Sequence, residues 1–125
     1  MHKSRLAGFI IDCHTDDLQA AAAFWSAALG MRSRPLGPGE ENYIGLSGAK
    51  HGLHIEVQQV AHPSRVHLDI ESDDIDAEVA RLEALGARRI ERVKSWCVME
   101  APTGQRFCVV RASEGNFADM ANIWP

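Results

Sequence analysis

DCHTDDLQAAAAFWSAALG, residues 12 to 30, is answered further along the chain by DIESDDIDAEVARLEALG, residues 69 to 86, and the pairing of these stretches decides the fold. TDDL at 15–18 lies over SDDI at 72–75, an offset of 57, and Asp12 lies over Asp69 at the same offset. In each copy an Asp pair offers an N-cap, because its carboxylate can accept from the backbone N–H groups that open a helix. Apolar residues then recur at helical spacing: Leu18, Ala21, Ala22, Trp25 and Leu29 in the first copy, Ile75, Val79, Leu82 and Leu85 in the second. Gly30 and Gly86 supply the stops, since glycine tolerates the left-handed conformation that ends a helix.

Each helix is flanked by short runs that read as strands. LAGFIIDCH (6–14) precedes the first, and stretches around 32–36, 42–47 and 53–60 follow it, broken by Gly and Pro turns. RVHLDIE (65–71) precedes the second, followed by 88–93, 95–100 and 105–111, with GQRFCV (104–109) matching GLHIEV (52–57) at an offset of 52. Both halves are therefore βαβββ. A unit of that size cannot bury its apolar face alone, so two copies are expected to pack together. The expectation is one α+β domain over 1–112, with modules 6–60 and 65–111 related by a pseudo-twofold. A curved, mixed eight-stranded sheet would surround a cleft, with helices outside. SEGNFADMANIWP (113–125) forms a tail whose Phe117, Met120 and Trp124 fall at helical spacing, so it reads as a short amphipathic segment covering an open surface or a partner subunit.

Composition narrows the function classes. A chain of 125 residues with a formal charge of −4, its charges interspersed, carries neither the basic stripe of a nucleic-acid binder nor a polybasic membrane patch. No apolar run approaches the ~20 residues of a membrane span, and MHKSRLAG lacks the apolar stretch of a signal peptide, so the cytoplasm is the expected location. Three cysteines without C-x-x-C spacing argue for reduced thiols rather than a disulfide or zinc scaffold. A small-molecule ligand is the expected partner.

Alternation along strands says where that ligand would sit. In LHIEVQ, Leu53, Ile55 and Val57 take one face and His54, Glu56 and Gln58 the other; in VHLDIE, Val66, Leu68 and Ile70 oppose His67, Asp69 and Glu71. The polar faces have two readings, open solvent or a cleft. If the halves close on each other, the offsets map His67 onto Ile10 and Glu56 onto Cys108, so Ile10, Glu56, His67 and Cys108 are expected around one point. Asp12, His14, His54, Asp69 and Arg106 share the inward phase and are candidates for ligand contact or acid–base work, with a solvated rim as the alternative for each. Trp96 walls a pocket or packs in the core. Phe24 and Trp25 are assigned to the core, and the acids of SDDIDAE to a capped helix start near the positive end of the helix dipole.

Three stretches in order also resemble the vicinal oxygen chelate superfamily of glyoxalases, bleomycin-resistance proteins and extradiol dioxygenases: DDLQAAAAFWSAALGM, RVHLDIESDDIDAEVARLEALGA and APTGQRFCVV. The resemblance spans roughly 6–111. It implies metal ligands on the first, fourth, fifth and eighth strands, at Ile10, Glu56, His67 and Cys108. Only Glu56 and His67 match the usual ligand types; Ile10 cannot ligate, and Cys108 puts a thiol where a carboxylate is usual. No cofactor is therefore expected in the protein as isolated, with a divalent metal on Glu56 and His67 as the alternative. The implied function is that of a glyoxalase-like lyase, isomerase or dioxygenase using Glu56 and His67; the other reading is a ligand-sequestering protein of the bleomycin-resistance kind. Family members commonly pair, so a homodimer is expected.

Overall fold

The computed structural model describes residues 1–48, 52–113 and 115–125. Its order is β1 (His2–His14), α1 (Leu18–Leu29), β2 (Arg32–Pro35), β3 (Tyr43–Ser47), β4 (His54–Val60), β5 (Arg65–Ser72), α2 (Ile75–Ala84), β6 (Arg88–Val93), β7 (Trp96–Glu100), β8 (Arg106–Arg111), α3 (Phe117–Met120) and β9 (Asn122–Trp124). The duplicated βαβββ is thus present, an α+β architecture with mixed strand pairing, and β1 begins four residues earlier than the apolar run suggested. The chain divides into two compact units, Gly8–His67 and Leu68–Pro125 with Met1–Ala7.

In the Gly8–His67 unit the strands lie in the order β2-β3-β4-β1, with β1 and β4 parallel and the other pairs antiparallel. Asp17 caps α1 by accepting from the Ala20 N–H at 3.0 Å, and Gly30 ends it at φ 66°. The helix lays Leu18 and Ala22 on Ile44, Leu46 and Val57, with Trp25, Cys13 and Ile55 at the margin. Trp25, expected in the core, is partly buried against its edge, and Phe24 is 62% exposed, because it lies one residue, about 100°, around the helix from Trp25. The sheet face away from α1 carries Ile10 beside Glu56 and Asp12 beside Gln58, with Gly45 and Tyr43 next in register.

Gly8 sets how closely β1 and β4 approach. A Cβ added there would lie 1.7 Å from the His54 carbonyl oxygen, an overlap with backbone that no rotamer relieves. Gly8→Ala is expected to destabilise the protein by about 3 kcal/mol, since the strands must separate to admit one methyl. Denaturant melts of the two proteins check it; an unchanged midpoint would mean the strands are not held that close.

In the other unit the order is β5-β8-β7-β6, with β5 and β8 parallel. Here α2, capped by Asp74 accepting from the Ala77 N–H, packs Ile75, Val79 and Leu82 on Cys97, Met99, Phe107 and Val109. Leu85, expected on that face, is 67% exposed because the helix turns off at Gly86. The apolar face expected for β5 holds only at Ile70, which packs on the α2 core; Val66 and Leu68 are 60% and 44% exposed. Glu71, expected on a wet face, is buried and accepts from Arg5 Nε at 2.7 Å and Ser113 Oγ at 2.9 Å.

The tail belongs to this unit. β9 pairs antiparallel with the start of β1, Trp124 facing His2, and Phe117 of α3 is buried. Glu78 lies at the centre of the join. Assigned with its neighbours to a capped helix start near the positive end of the dipole, it is fully buried, with Oε1 accepting from Arg81 Nε and pairing with His2 Nε2, each at 2.8 Å, and Oε2 accepting from Arg81 and Ser4 Oγ, each at 2.8 Å. Trp124 Nε1 donates to the same Ser4 oxygen, and its ring lies under the Arg81 guanidinium at 3.8 Å. Burial pushes the Glu78 carboxyl up, but hydrogen bonds from Arg81, His2 and Ser4 outweigh it and hold the group below its ordinary value.

Candidate functional site

β5 presents Arg65, His67 and Asp69 on one face by simple alternation. The half-buried His67 ring places Nδ1 2.7 Å from Oδ2 of Asp12 on β1. A carboxylate only accepts, so Nδ1 carries the proton and the ring's remaining chemistry falls to Nε2. Asp12 is 2% exposed; its other oxygen, Oδ1, is buried with no hydrogen-bond partner among the described residues. Arg65 approaches the shared oxygen, its Nε 3.7 Å from Oδ2. The environment is polar on both sides of Asp12: Gln58 lies beside it in register and donates from Nε2 to the Tyr43 hydroxyl at 2.9 Å.

Several expected residues are thus gathered in the Gly8–His67 unit. Glu56 stands on the same sheet face as Asp12, directly beside Ile10, which is 4% exposed and wholly hydrocarbon. His54 is exposed at the foot of β4. His14 is exposed at the far end of β1, where it borders an open hollow with Thr15, Asp16, Asn42, Gln59 and Val60. Cys13 is kept a protonated thiol, first by burial and then by the neighbouring Asp12 charge.

In the other unit, Asp69 and Cys108 are lateral neighbours on β5 and β8, which sets a carboxylate beside a thiol. Arg106 is engaged by Glu100, which also accepts from Arg88, and those two cations hold the Glu100 carboxyl below its ordinary range. Trp96 is half-buried at the start of β7, opposite Val93. Cys97 is buried and its thiol is pushed up by that burial.

A family model for a glyoxalase-like domain matches residues 8–110. The chain belongs to the glyoxalase-like family. No curated protein matches its sequence significantly. Among solved structures, this glyoxalase-like chain is similar to methylmalonyl-CoA epimerase from Mycobacterium tuberculosis (TM-score 0.66, 15% identity, 87% of this chain and 88% of that one). It is also similar to a member of the glyoxalase/bleomycin resistance protein/dioxygenase superfamily from Vibrio splendidus 12B01 (TM-score 0.54, 20% identity, 85% and 98%). A third similar structure is the Mn(II)-bound glyoxalase from Novosphingobium aromaticivorans (TM-score 0.59, 16% identity, 92% of this chain and 44% of that one). These likenesses establish the fold. Among the described residues, no helix of the glyoxalase-like chain is long and apolar enough to cross a membrane.

The contact that sequence reasoning missed is the Asp12–His67 pair. Both residues were candidates, but as separate contributors, because alternation gives the face of a side chain and not its partner on another strand. Arg65 was missed altogether, although its parity with His67 on β5 was available in RVHLDIE.

Proposed function

We propose that this glyoxalase-like protein acts on a small carbonyl compound, with His67 moving a proton on the ligand and Asp12 fixing the ring that does it. The observation that carries this reading is the 2.7 Å contact between His67 Nδ1 and the buried Asp12. A carboxylate behind an imidazole fixes its tautomer and steadies the positive charge that appears when Nε2 accepts a proton. In such a step Nε2 takes a proton from the carbon beside the carbonyl, the C–H electron pair moves to the carbonyl oxygen, and return of the proton completes an isomerisation. Glu56, on the same face as Asp12, is the second acid–base candidate.

A divalent metal is the other support such a site can use. His67 offers nitrogen and Glu56, on the face that carries Asp12, carboxylate oxygen, donor types that hold such ions. A bound metal would supply Lewis-acid polarisation of a ligand oxygen. Ile10, packed beside Glu56, cannot contribute, and this hydrocarbon favours a second reading in which the face sequesters a ligand without reacting.

Incubating the protein in heavy water with a panel of small 2-oxo compounds separates these readings. Deuterium uptake at the carbon beside the carbonyl, above the protein-free rate, is expected; binding without uptake throughout the panel would instead support sequestration. Pairing of two copies is also part of the proposal, because Met120 and Ile123 in the tail are 61% and 60% exposed. Light scattering is expected to give twice the 13.7 kDa chain mass at micromolar concentration, and a monomer mass would refute it.

A further inference from the structure

We propose that the ligand of this face carries a carboxylate and that Arg65 is the residue that recognises it; the inference rests on the reading of His67 given above and adds the substrate class. The arginines of this protein that serve the fold spend their donors at short range. Arg81 reaches Glu78 through two bonds of 2.8 Å, Arg5 reaches Glu71 at 2.7 Å, and Arg92 reaches Asp76 at 2.8 Å. Arg65 does not: its acidic neighbour among the described residues, Asp12, has Oδ2 3.7 Å from Arg65 Nε, beyond hydrogen-bond length, and the Arg65 side chain is 47% exposed. That oxygen already accepts from His67, and Asp12 Oδ1 has no hydrogen-bond partner among the described residues, so Arg65 is not placed to satisfy Asp12.

Its closest approach is through Nε, which leaves the two terminal nitrogens further from Asp12. A guanidinium presents a planar fork that matches a carboxylate through two parallel hydrogen bonds, and the match is stronger than a single charge contact. Arg65 and His67 are two residues apart on one strand face, about 7 Å along it. Bound at Arg65, a short 2-oxo acid would lie with its carbonyl and neighbouring carbon toward His67. A neutral carbonyl compound lacks the group the fork selects.

Pyruvate and methyl pyruvate differ only in that charge and serve as probes. Titrations followed through the Arg65 Nε–H resonance are expected to show pyruvate binding at millimolar concentration and methyl pyruvate at least tenfold more weakly. Arg65→Gln should weaken pyruvate about tenfold to a hundredfold, as expected for loss of a charge-assisted pair, and leave the ester unchanged. Arg65→Lys keeps the charge without the fork and should recover only part of the loss. His67→Gln should leave pyruvate affinity within about twofold while abolishing deuterium uptake, so binding and chemistry fail separately. Equal affinity for acid and ester, unchanged pyruvate binding in Arg65→Gln, or no pyruvate binding at all would each overturn the proposal. Pyruvate bound by the unmodified protein without exchange, or exchange retained in His67→Gln, would count only against the role of His67.

Discussion

His67→Gln is expected to lower deuterium exchange into a bound 2-oxo compound by about 10²- to 10⁴-fold, the usual weight of one positioned acid–base group. Glutamine keeps a polar side chain of similar length and can still donate to Asp12, so the buried carboxylate stays satisfied and the fold should hold. What disappears is the nitrogen that can take and return a proton. Asp12→Asn should act through His67: an amide accepts more weakly and carries no charge to steady an imidazolium, so a loss smaller than that of His67→Gln is expected. If His67→Gln exchanges at the parent rate, the proton is moved by another group and the proposed role is wrong.

Glu78→Ala is expected to destabilise the protein by about 3–5 kcal/mol, because it breaks a buried ion pair and strands the groups that faced it. His2, Ser4 and Arg81 all point at the deleted carboxylate, and Trp124 depends on two of those partners, Ser4 for its hydrogen bond and Arg81 for its stacking contact. At ~4 °C per kcal/mol the melting temperature should fall by at least 10 °C. The linked pH dependence has a definite sign. Because the folded state holds Glu78 below its ordinary pKa, the stabilisation is fully present above that value and is lost as the pH falls through the lower, folded-state value. Acid melts should therefore steepen for the parent protein, and the Glu78 contribution to that slope should vanish in Glu78→Gln. Melting curves that do not change would mean the join of the two termini adds nothing.

The duplicated βαβββ was legible because its signals are local. The Asp caps, the helical spacing of Leu18, Ala22 and Trp25 or Ile75, Val79 and Leu82, and the stops at Gly30 and Gly86 act within a few residues of chain. The Glu78 join was not legible, because its partners are 76, 74 and 3 residues away and only the last has helical spacing. Periodicity did place Glu78 one residue from Val79, on the edge of the buried stripe, and that position was the available warning. Exposure of Val66 and Leu68 was unreadable for another reason: alternation separates the faces of β5, but whether a helix covers a given length of strand depends on where α2 lies. At the candidate site, the face holding Asp12 and Glu56 was readable from β1 and β4, whereas the partner of His67 was set by how strands meet.

Nitrogen-15 spectroscopy of the His67 ring reads the pairing itself, in which Asp12 holds this imidazole through Nδ1. At neutral pH the Nδ1 shift should fall in the protonated range with a proton coupled to it, and in Asp12→Ala that fixed protonation should give way to exchange between the two ring nitrogens. An Nδ1 without a proton in the parent protein would contradict the pairing of Asp12 with His67, and with it the function proposed for this face.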